Sequence, residues 1–401
     1  MNILYYDLLR GRNTSTASNH VNEIIRNLEK LGNTILLRDN NVQKEEGLEK
    51  PPNSSLNLWG KIGTRWPIMG IFLSLVGEIR VFIRGIIALI KINVKPDIVY
   101  YRHGLFNAGL WTAKLLRIPA VKEVNGIVAN EKEVTNQAKG IILNIINHIE
   151  KRNMPKADKI IVVTSKLKQI LIREYNVSEN KIEVLENGAN VDLFRPMERN
   201  RVISKLRISE QFRYVCFVGN FATWQGLEYL IKSVPHVLKE CPDARFLLVG
   251  DGDLKERLES MVKDIGVSDK VIFTGMVPYQ NVPYYINASD VCVAPFISQR
   301  NERIGLSPLK LCEYLSCEKP VIASRISGLE ILEEHQMGLL VPPEDEVALA
   351  QAIVRMLKDY SLREEMGKNG RQYVVKHRSW ENVARKTLQV FEELMGQNSG
   401  L

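Results

Sequence analysis

Several features that define other classes of protein are missing from this sequence of 401 residues. Its five cysteines form no C-x-x-C pair, so we expect neither structural zinc nor disulfides, and the thiols suit a reducing compartment. No apolar run reaches the roughly 18 residues that a transmembrane helix needs. The N-terminal stretch MNILYYDLLRGR has no basic segment ahead of an apolar core, which predicts that it is not a signal peptide.

Acidic residues are too few to balance the basic ones, and the excess is uneven along the chain. There are 54 Lys and Arg against 46 Asp and Glu, a formal net charge of +8. Residues 1–195 carry a net charge of +9, and residues 196–401 carry −1. A basic protein can bind nucleic acid, but the sequence shows neither paired Cys/His spacing nor a helix-turn-helix pattern. We therefore predict no nucleic-acid partner.

Hydrophobic residues make up 45% of the chain and recur in short strands that alternate with helical segments. This alternation indicates parallel strands in two Rossmann-like sheets, joined near residues 187–196. Ligands of such sheets bind at the carboxyl ends of the strands, so we expect the site between the two domains. The predicted strands are 2–6, 34–37, 97–101, 120–124, 159–163, 214–218, 245–249, 271–274, 291–294 and 320–323.

The segment 58–95 interleaves six Lys or Arg with many Ile, Leu and aromatic residues. One interpretation is a pair of helices that packs on the first sheet and keeps its basic residues in water. The other is a surface that enters an anionic bilayer, where apolar burial and about 1 kcal/mol per basic residue add together. Both interpretations can hold for different faces of the segment.

Five segments carry a resemblance to a known family. They are NGANVDLFRP (187–196), FVGNFATWQGLEYLI (217–231), LLVGDGDL (247–254), VIFTGMVPYQNVPYYINASDVCVAP (271–295) and SPLKLCEYLSCEKPVIAS (307–324). In these segments and in their order, the chain resembles the retaining glycosyltransferases of family 4, also called glycosyl transferases group 1. The resemblance implies an α/β protein of the GT-B fold, with two Rossmann-like, doubly wound parallel-sheet domains facing a central cleft.

We expect an N-terminal acceptor-binding domain at 1–190, which contains the basic amphipathic insert 58–95. A nucleotide-sugar-binding domain at 191–376 follows, and a C-terminal helix at 377–401 crosses back to the first domain. The resemblance implies that a sugar passes, with retention, from a nucleoside-diphosphate donor to a glycan or lipid-linked hydroxyl acceptor. Such a reaction belongs to polysaccharide, lipopolysaccharide or glycolipid synthesis at a membrane surface. We expect no cofactor and no metal, a cytoplasmic location, and a peripheral position on the inner plasma membrane if 58–95 contacts lipid.

Donor-site residues follow from the matched motifs. In the family, a Glu on the helix within the last motif holds the ribose hydroxyls, and Glu313 has that position; a carboxylate can accept from two vicinal hydroxyls. A second family Glu, eight residues earlier, is replaced by Gly305. Glu302 is the nearest carboxylate that could take its place. Val277 has the position whose backbone pairs with the base, and Gly250 lies in a turn of the same site.

The diphosphate site is predicted at the start of the helix that carries Glu313. Helix N-termini attract phosphate, so the N–H of Leu309 and the ammonium of Lys310 are expected to contact it, and Ser307 to cap the helix. A solvated Lys310 is the alternative. In the first loop of the second domain, the family often has an Arg and a Lys. This chain has neutral residues there instead, namely Gly219, Asn220, Gln225 and Gly226.

Because those two cations are absent, the negative charge of the diphosphate must be balanced by Lys310, Arg300 or Arg303. Trp224 in the same loop either packs under the sugar or anchors the turn. The motif Asp251-Gly252-Asp253 resembles a metal-binding D-x-D. Its position between a strand and a helix favours instead a turn at Gly252 and an N-cap at Asp253.

On the acceptor side, Thr16, Ser18 and His20 fill the place of the family's glycine-rich loop and the helix that follows it. A His20 that only caps its own helix is the alternative, and His103 is either a cleft histidine or a plain loop residue. Asn125 stands where the family commonly has a His facing the transferred sugar. An amide can bind a hydroxyl but cannot carry a proton near pH 7.

We predict Asn125, His20 and Lys310 as the catalytic residues. No nucleophile is needed if the leaving phosphate takes the acceptor's proton on the same face of the sugar. The alternatives are an epimerase-like GT-B enzyme, a glycogen-synthase-like enzyme acting on a soluble polymer, and a non-catalytic nucleotide-sugar-binding protein. The last is kept open by the missing Glu and the two missing cations.

Overall fold

A computed structural model describes residues 1–6, 16–36, 67–134 and 137–398. The chain forms two compact units. The first comprises residues 1–185 and 384–401, and the second comprises residues 186–383.

The first unit is built on a six-stranded parallel sheet in the order β2-β1-β3-β4-β5-β6. The order changes direction between β1 and β3, so the carboxyl ends of these two strands border the crevice where ligands of such sheets bind, and β4 is the next strand beyond β3. The strands are β1 (Asn2–Tyr6), β2 (Thr34–Leu36), β3 (Ile98–Arg102), β4 (Ala120–Val124), β5 (Lys159–Val162) and β6 (Ile182–Val184). The helices of this unit are α1 (Thr16–Lys30), α2 (Pro67–Ile92), α3 (Ala108–Leu116), α4 (Val128–Val134), α5 (Gly140–Asn153) and α6 (Ser165–Tyr175).

The second unit repeats this plan with a parallel sheet in the order β12-β11-β10-β7-β8-β9. Here the direction changes between β7 and β10. The strands are β7 (Arg213–Val218), β8 (Ala244–Val249), β9 (Val271–Gly275), β10 (Val291–Ala294), β11 (Val321–Ser324) and β12 (Gly338–Val341). The helices are α7 (Arg199–Leu206), α8 (Leu227–Glu240), α9 (Lys255–Asp264), α10 (Val282–Ala288), α11 (Ser298–Ile304), α12 (Leu309–Ser316), α13 (Ile331–Glu334), α14 (Glu346–Lys358), α15 (Tyr360–His377) and α16 (Trp380–Asn398), the last continuing into the first unit.

Apolar side chains cover both faces of the second sheet. One cluster packs β7 and β8 against α8 and α14, and another packs the opposite face against α12 and α15. A parallel sheet that is buried on both faces needs near-continuous apolar strands, which is why runs such as YVCFV and RFLLV predict it well. The predicted fold class, two doubly wound parallel α/β sheets, is confirmed.

Some local predictions are wrong. The strands β6 and β12 have no counterpart among the predicted strands, because each is only three or four residues long. The described part of 58–95 forms one helix of 26 residues, and the predicted helix pair is not tested because residues 58–66 lie outside the described residues. Asp253 is not an N-cap, because α9 begins at Lys255 and Leu254 precedes it.

No helix in the described ranges is both long enough and apolar enough to cross a bilayer.

Candidate functional site

In the second unit, the carboxyl ends of β7, β8 and β9 turn through glycines that lie against one another. The N–H of Gly219 donates to Val249 O at 2.9 Å, and the N–H of Gly250 donates to Gly275 O at 3.1 Å. A Cβ on Gly250 would collide with the carbonyl of Gly219, and all three glycines have positive φ. Only glycine fits here, so the backbone itself forms a compact floor at the ends of the strands.

The loop after β7 carries the amides that replace the family's cations. Asn220 is exposed and Gln225 is half-buried. Gly226 has φ +68°, and a Cβ there would collide with the carbonyl of Pro295. The loop therefore lies close to the end of β10 and leads directly into α8.

Lys310 is brought against this loop from the first turn of α12. Its Nζ donates to Gln225 Oε1 at 2.7 Å and lies 3.9 Å from the centre of the Phe217 ring. Burial lowers the pKa of Lys310 to about 7, although Glu313 acts in the opposite direction. The structure thus joins Gln225 and Lys310, which are 85 residues apart in the chain. It leaves the lysine without an acidic partner at hydrogen-bonding distance among the described residues.

Glu313 follows Lys310 by three residues on α12, so the two side chains share one face of the helix. Glu313 is 7% exposed, and its Oε1 accepts a hydrogen bond of 3.1 Å from the Tyr279 hydroxyl. Tyr279 is held in turn by the ring of Phe194, with centroids 5.3 Å apart. Such a supported carboxylate is oriented to accept from vicinal hydroxyls, the role that the family resemblance implies.

Val277 is half-buried in the loop that follows β9. Within the described part of the chain, no hydrogen bond uses its backbone N–H or C=O. Both groups therefore remain for another partner, as a backbone contact to a base edge requires.

Ser307 does not cap α12, and that prediction is wrong. The N-cap position is occupied by Pro308, without a side-chain hydrogen bond. Ser307 Oγ instead accepts from the N–H of Asn187 at 2.9 Å, and its carbonyl accepts from Asn187 Nδ2 at 2.6 Å. The serine ties the linker to the start of α12. The N–H groups of Leu309 and Lys310 lie in the first turn, where a helix offers no acceptor of its own.

The remaining donor-side predictions concern Glu302 near Gly305, Trp224, Arg300 and Arg303. The carboxylate of Glu302 accepts from Ser327 Oγ at 2.9 Å and from the Ser327 N–H at 3.3 Å, while Gly305 ends α11 with φ +69°. Glu302 is thus engaged with a neighbouring loop. The Trp224 carbonyl accepts from Asn301 Nδ2 at 3.0 Å, so the backbone of this turn is held by α11. Arg303 is exposed, and the side chain of Arg300 lies outside the described residues.

The D-x-D motif is used locally. Asp251 Oδ1 accepts from the N–H of Gly252 at 2.8 Å, and its Oδ2 lies 3.5 Å from Lys255 Nζ. Gly252 has φ +158°, and a Cβ there would collide with the backbone of Phe221, while the turn itself lies at Asp253 and Leu254. These contacts explain the motif as the connection between β8 and α9.

In the first unit, a buried carboxylate gathers several predicted site residues at the carboxyl ends of β3 and β4. Glu123 is 2% exposed. Its Oε1 accepts from Asn125 Nδ2 at 2.6 Å and lies 3.0 Å from His20 Nε2 and 3.6 Å from Arg102 Nε. Its Oε2 accepts from the Tyr100 hydroxyl. Burial would raise the pKa of Glu123, but His20, Arg102 and Tyr100 outweigh burial and hold that pKa well below its usual range.

A second buried carboxylate, Glu150 on α5, lies beside the predicted residue His103. Its Oε1 is 2.6 Å from His103 Nε2, and its two oxygens accept from the N–H groups of Val128 and Ala129 at 2.8 and 3.0 Å. Burial lowers the pKa of His103 despite the neighbouring carboxylate. The neutral ring donates from Nε2, which leaves the buried Nδ1 as an acceptor with no hydrogen bond from the described residues.

Thr16 and Ser18, which are expected in the loop, lie with His20 in the first turns of α1, and the helical position of His20 agrees with the prediction. The side chains of Thr16 and Ser18, and residues 7–15 of that loop, lie outside the described residues.

Sequence reasoning missed Glu123, Arg102 and Tyr279. The strand AVKEV contains a signal for the first of these: two charged side chains, Lys122 and Glu123, in a strand expected to be buried on both faces. Lys122 is satisfied structurally, since its Nζ donates to the carbonyls of Asn153 and Met154. Nothing in the sequence pointed to Tyr279, whose role depends on tertiary contact alone.

Two family models match the chain. The model described as Glycosyltransferase Family 4 matches residues 17–193, and the model described as Glycosyl transferases group 1 matches residues 212–359. Together they span both parallel sheets except β1.

Curated relatives are glycosyltransferases by name. A D-inositol 3-phosphate glycosyltransferase from Corynebacterium jeikeium is 30% identical over 258 residues, 61% of this chain and 59% of that protein. An uncharacterised glycosyltransferase from Methanocaldococcus jannaschii is 29% identical over 247 residues, 60% of this chain and 62% of that protein. An alpha-D-kanosaminyltransferase from Streptomyces kanamyceticus is 24% identical over 64% of this chain and 66% of that protein. The chain thus spans about three fifths to two thirds of the length of these relatives.

Solved structures share the fold over nearly the whole chain. A sucrose-phosphate synthase from Thermosynechococcus elongatus superimposes with a TM-score of 0.75 at 21% identity, covering 99% of both chains. The Anabaena protein HepE, in complex with UDP-glucose, superimposes with a TM-score of 0.70 at 17% identity, covering 98% of this chain and 100% of that chain.

Proposed function

The chain belongs to the glycosyltransferases of family 4, with a second half of the group 1 type, and on this premise we propose that it is a retaining glycosyltransferase. The donor is a nucleoside-diphosphate sugar, and the acceptor is a hydroxyl of a glycan or of a lipid-linked molecule. The donor class is supported by the HepE structure, which was obtained with UDP-glucose.

The observation that carries the proposal is the pairing of Lys310 and Glu313 on α12 beside the glycine turns of β7, β8 and β9. A nucleoside diphosphate carries two vicinal hydroxyls on its ribose and a compact negative charge on its phosphates. Glu313 can accept from the hydroxyls, while Lys310 and the first-turn N–H groups of α12 can bind the phosphates. Close-packed glycines let a ligand approach the backbone.

Retention follows if the reaction proceeds on one face of the sugar. The bond between the anomeric carbon and the phosphate oxygen breaks, and the acceptor oxygen bonds to the same face. The departing phosphate oxygen takes the acceptor's proton, so no side chain need act as a nucleophile. Lys310 and the N–H groups of α12 stabilise the negative charge that grows on the phosphate.

A thermal-shift series against nucleoside diphosphates and their sugars tests donor binding. A ligand that binds only the native state stabilises it by about 2.7 kcal/mol at a hundred times its Kd, so one member of the series should raise the Tm. Glu313→Ala should weaken that ligand at least about tenfold, because it removes the partner of the ribose hydroxyls. Glu364→Ala, which changes an exposed helical glutamate of the same unit, is the control and should bind as the wild type does. No Tm shift with any member would refute the proposed donor class.

A product assay with the selected nucleotide sugar separates the alternatives. A glycosyltransferase releases the nucleoside diphosphate, an epimerase converts the donor while keeping it intact, and a binding protein does neither. The loss of the family Glu at Gly305 and of two phosphate-binding cations keeps the last alternative open. If the wild type releases the nucleoside diphosphate and Glu313→Ala does not, the alternative of a non-catalytic binding protein is excluded.

We further propose that α2 contacts an anionic membrane, where a lipid-linked acceptor would lie. Its inner face packs on the sheet, where Gly85 touches Tyr6 so closely that a Cβ would collide with the tyrosine hydroxyl. Its outer face exposes apolar side chains at successive turns, with Phe72 58% and Ile90 74% exposed. The residues in this apolar stripe are Phe72, Ile79, Ile83, Ile87 and Ile90.

Basic residues accompany the apolar stripe. Arg80, Arg84, Lys91 and Lys95 are all exposed on or just after α2. A row of apolar side chains bordered by cations suits the interface of an anionic bilayer, where burial and Coulomb attraction add. Flotation with anionic and with neutral vesicles tests the proposal. We expect the protein to float with the anionic vesicles only, and equal recovery in the soluble fraction for both would refute it.

A further inference from the structure

The side-chain amide of Asn125 has a fixed orientation, because its neighbour Glu123 can only accept hydrogen bonds. Asn125 Nδ2 lies 2.6 Å from Glu123 Oε1, and an ionised carboxylate has no proton to donate. The amide nitrogen must therefore face Glu123, and the carbonyl oxygen must face away. That oxygen, Asn125 Oδ1, is buried and has no hydrogen-bond partner among the described residues.

A buried oxygen without a partner is costly, since its loss of water is not compensated. Asn125 follows β4 directly, at the carboxyl end of the sheet and close to the change of strand direction between β1 and β3. An orphan acceptor at this edge is suited to a ligand that brings a hydrogen-bond donor. A sugar hydroxyl is such a donor, and it carries no charge that would have to be balanced.

The neighbouring strand end repeats the arrangement. His103 follows β3, and its N–H donates to the carbonyl of Glu123 at 2.7 Å, so the two strand ends are adjacent. Glu150 pairs with Nε2 of the His103 ring, and the buried Nδ1 has no hydrogen-bond partner in the part of the chain that the structure describes. The buried carboxylates of Glu123 and Glu150 thus pair with the donor nitrogens of Asn125 and His103. The acceptor atoms of these two residues, Oδ1 and Nδ1, are left without a hydrogen bond from the described residues.

We propose that Glu123 is a positioning residue, which holds Asn125 so that Oδ1 accepts a hydrogen bond from a hydroxyl of the bound substrate. The inference rests on the proposed glycosyl transfer and adds a role for a residue that touches no substrate itself. Glu123 is kept ionised for this purpose by Arg102, by His20 and by the Tyr100 hydroxyl. The hydroxyl belongs either to the donor sugar or to the acceptor.

A double-mutant cycle tests whether Glu123 acts through Asn125. Glu123→Ala and Asn125→Ala should each lower kcat/KM for sugar transfer about tenfold, and the double variant should fall within about twofold of the weaker single variant. Glu123→Gln keeps an oxygen toward Asn125 and a nitrogen that can donate to Tyr100, so it should stay within about threefold of the wild type. Losses that multiply in the double variant would overturn the inference.

Asp158→Ala is the matched control, because Asp158 Oδ2 accepts from the N–H of Ala120 at 2.8 Å, at the opposite end of β4. It should lower the Tm and leave kcat/KM unchanged. Donor hydrolysis by water separates the two sources of the hydroxyl. If Asn125→Ala lowers hydrolysis and transfer alike, the hydroxyl is on the donor sugar; if it lowers transfer alone, the hydroxyl is on the acceptor.

The orientation of the Asn125 side-chain amide can also be tested without an activity assay, from the NMR signal of its two protons. In the wild type and in Glu123→Gln, its protons should be protected from exchange by the bond to residue 123. In Glu123→Ala that protection should be lost, and equal exchange in all three would refute the positioning role. A wild type that transfers no sugar but shows this exchange pattern would refute the proposed function and leave the orientation standing.

Discussion

Lys310 is a lysine whose surroundings favour the neutral amine. Its ammonium has an amide and an aromatic ring as neighbours, and burial brings the pKa to about 7. Of the charged and titratable groups near it, Glu313 and Cys216 both favour the protonated form, but they do not offset the loss of water. A diphosphate brings the negative charge that is missing from the site, so its binding should return the proton to Lys310.

Nucleoside-diphosphate affinity should therefore fall as the pH rises above 7. Between pH 7.0 and 8.5, free Lys310 loses its proton and must regain it on binding, which costs up to about tenfold in affinity per pH unit. Calorimetric titration at several pH values measures the change. Lys310→Arg keeps its charge throughout, so its affinity should vary little over this range, and an equal pH dependence in both proteins would contradict the argument.

Lys310→Ala should weaken the nucleoside diphosphate about tenfold or more and leave the matching nucleoside within about twofold. The reason is that Lys310 lies at the start of α12, where phosphates are expected, while Glu313 serves the ribose. Calorimetry with both ligands makes the comparison. Equal losses for the two ligands would show that the lysine only supports the fold.

At the scale of residues, the sequence predicts side chains that lie within a motif and misses those that act through tertiary contact. Glu313 and Lys310 follow from the spacing of one segment. Ser307 lies just before α12, but its hydrogen-bond partner, Asn187, is 120 residues away, so the motif alone does not show that Ser307 leaves the helix uncapped. Glu123 is hidden because the sequence does not show which four donors converge on it.

At the scale of elements, α2 contains one acid in a place that disfavours charge. Glu78 is buried on the inner face of the helix, where Oε2 accepts from the N–H of Ala108 at 2.8 Å and Oε1 has no partner among the described residues. Burial raises the pKa of Glu78 to about 8, although the hydrogen bond from Ala108 opposes the change. The carboxyl group of Glu78 is thus protonated in the folded protein at neutral pH and ionised in the unfolded chain.

This difference predicts a loss of stability as the pH rises. Between about pH 4.5 and pH 8, the folded state binds one proton more than the unfolded state at this site, so the free energy of unfolding decreases with pH. Glu78→Gln removes the ionisation and should flatten that decrease by roughly 1–3 kcal/mol. Thermal melting at pH 5 and pH 8 compares the two proteins. Glu133→Gln, at an exposed position of α4, is the control and should follow the wild type.

The apolar stripe of α2 also gives a prediction at this scale. Ile83→Ser with Ile87→Ser should lower binding to anionic vesicles at least about tenfold, because each isoleucine side chain contributes roughly 1.5–3 kcal/mol when fully buried. The Tm should hardly change, since both side chains are exposed on the folded protein. Flotation measures the binding. Val347→Ser, which removes an exposed apolar side chain from the second unit, should float as the wild type does.

Helical and strand patterns predicted most elements because a buried parallel strand needs an unbroken apolar run. They failed where the run is three or four residues long, as in Ile182–Val184 and Gly338–Val341. Within 67–92, Gly77 and Gly85 do not interrupt the helix. At Gly85 the missing side chain makes room for Tyr6, so the glycine marks close packing within one continuous helix.

At the scale of the whole molecule, the positive charge belongs to one unit. The first unit has 29 Lys and Arg against 19 Asp and Glu, a net charge of +10, and the second has 25 against 27, a net charge of −2. A nearly neutral unit suits a donor site in which one buried lysine is the cation. The basic unit carries the apolar stripe of α2, so Coulomb attraction and apolar burial act on the same unit.

The dependence of vesicle binding on salt separates the contribution of Coulomb attraction from that of apolar burial. Raising the ionic strength from about 0.1 M to about 1 M shortens the Debye length from about 10 Å to about 3 Å, so attraction between the basic unit and anionic lipid should largely disappear. Apolar burial remains, and it is strengthened only by salts that are excluded from the protein surface. Vesicle binding should therefore fall at least about tenfold in sodium chloride without reaching zero. In Ile83→Ser with Ile87→Ser the residual binding should vanish, whereas nucleotide binding, which depends on the second unit, should persist. Vesicle binding unaffected by salt would show that the charge of the first unit serves another partner.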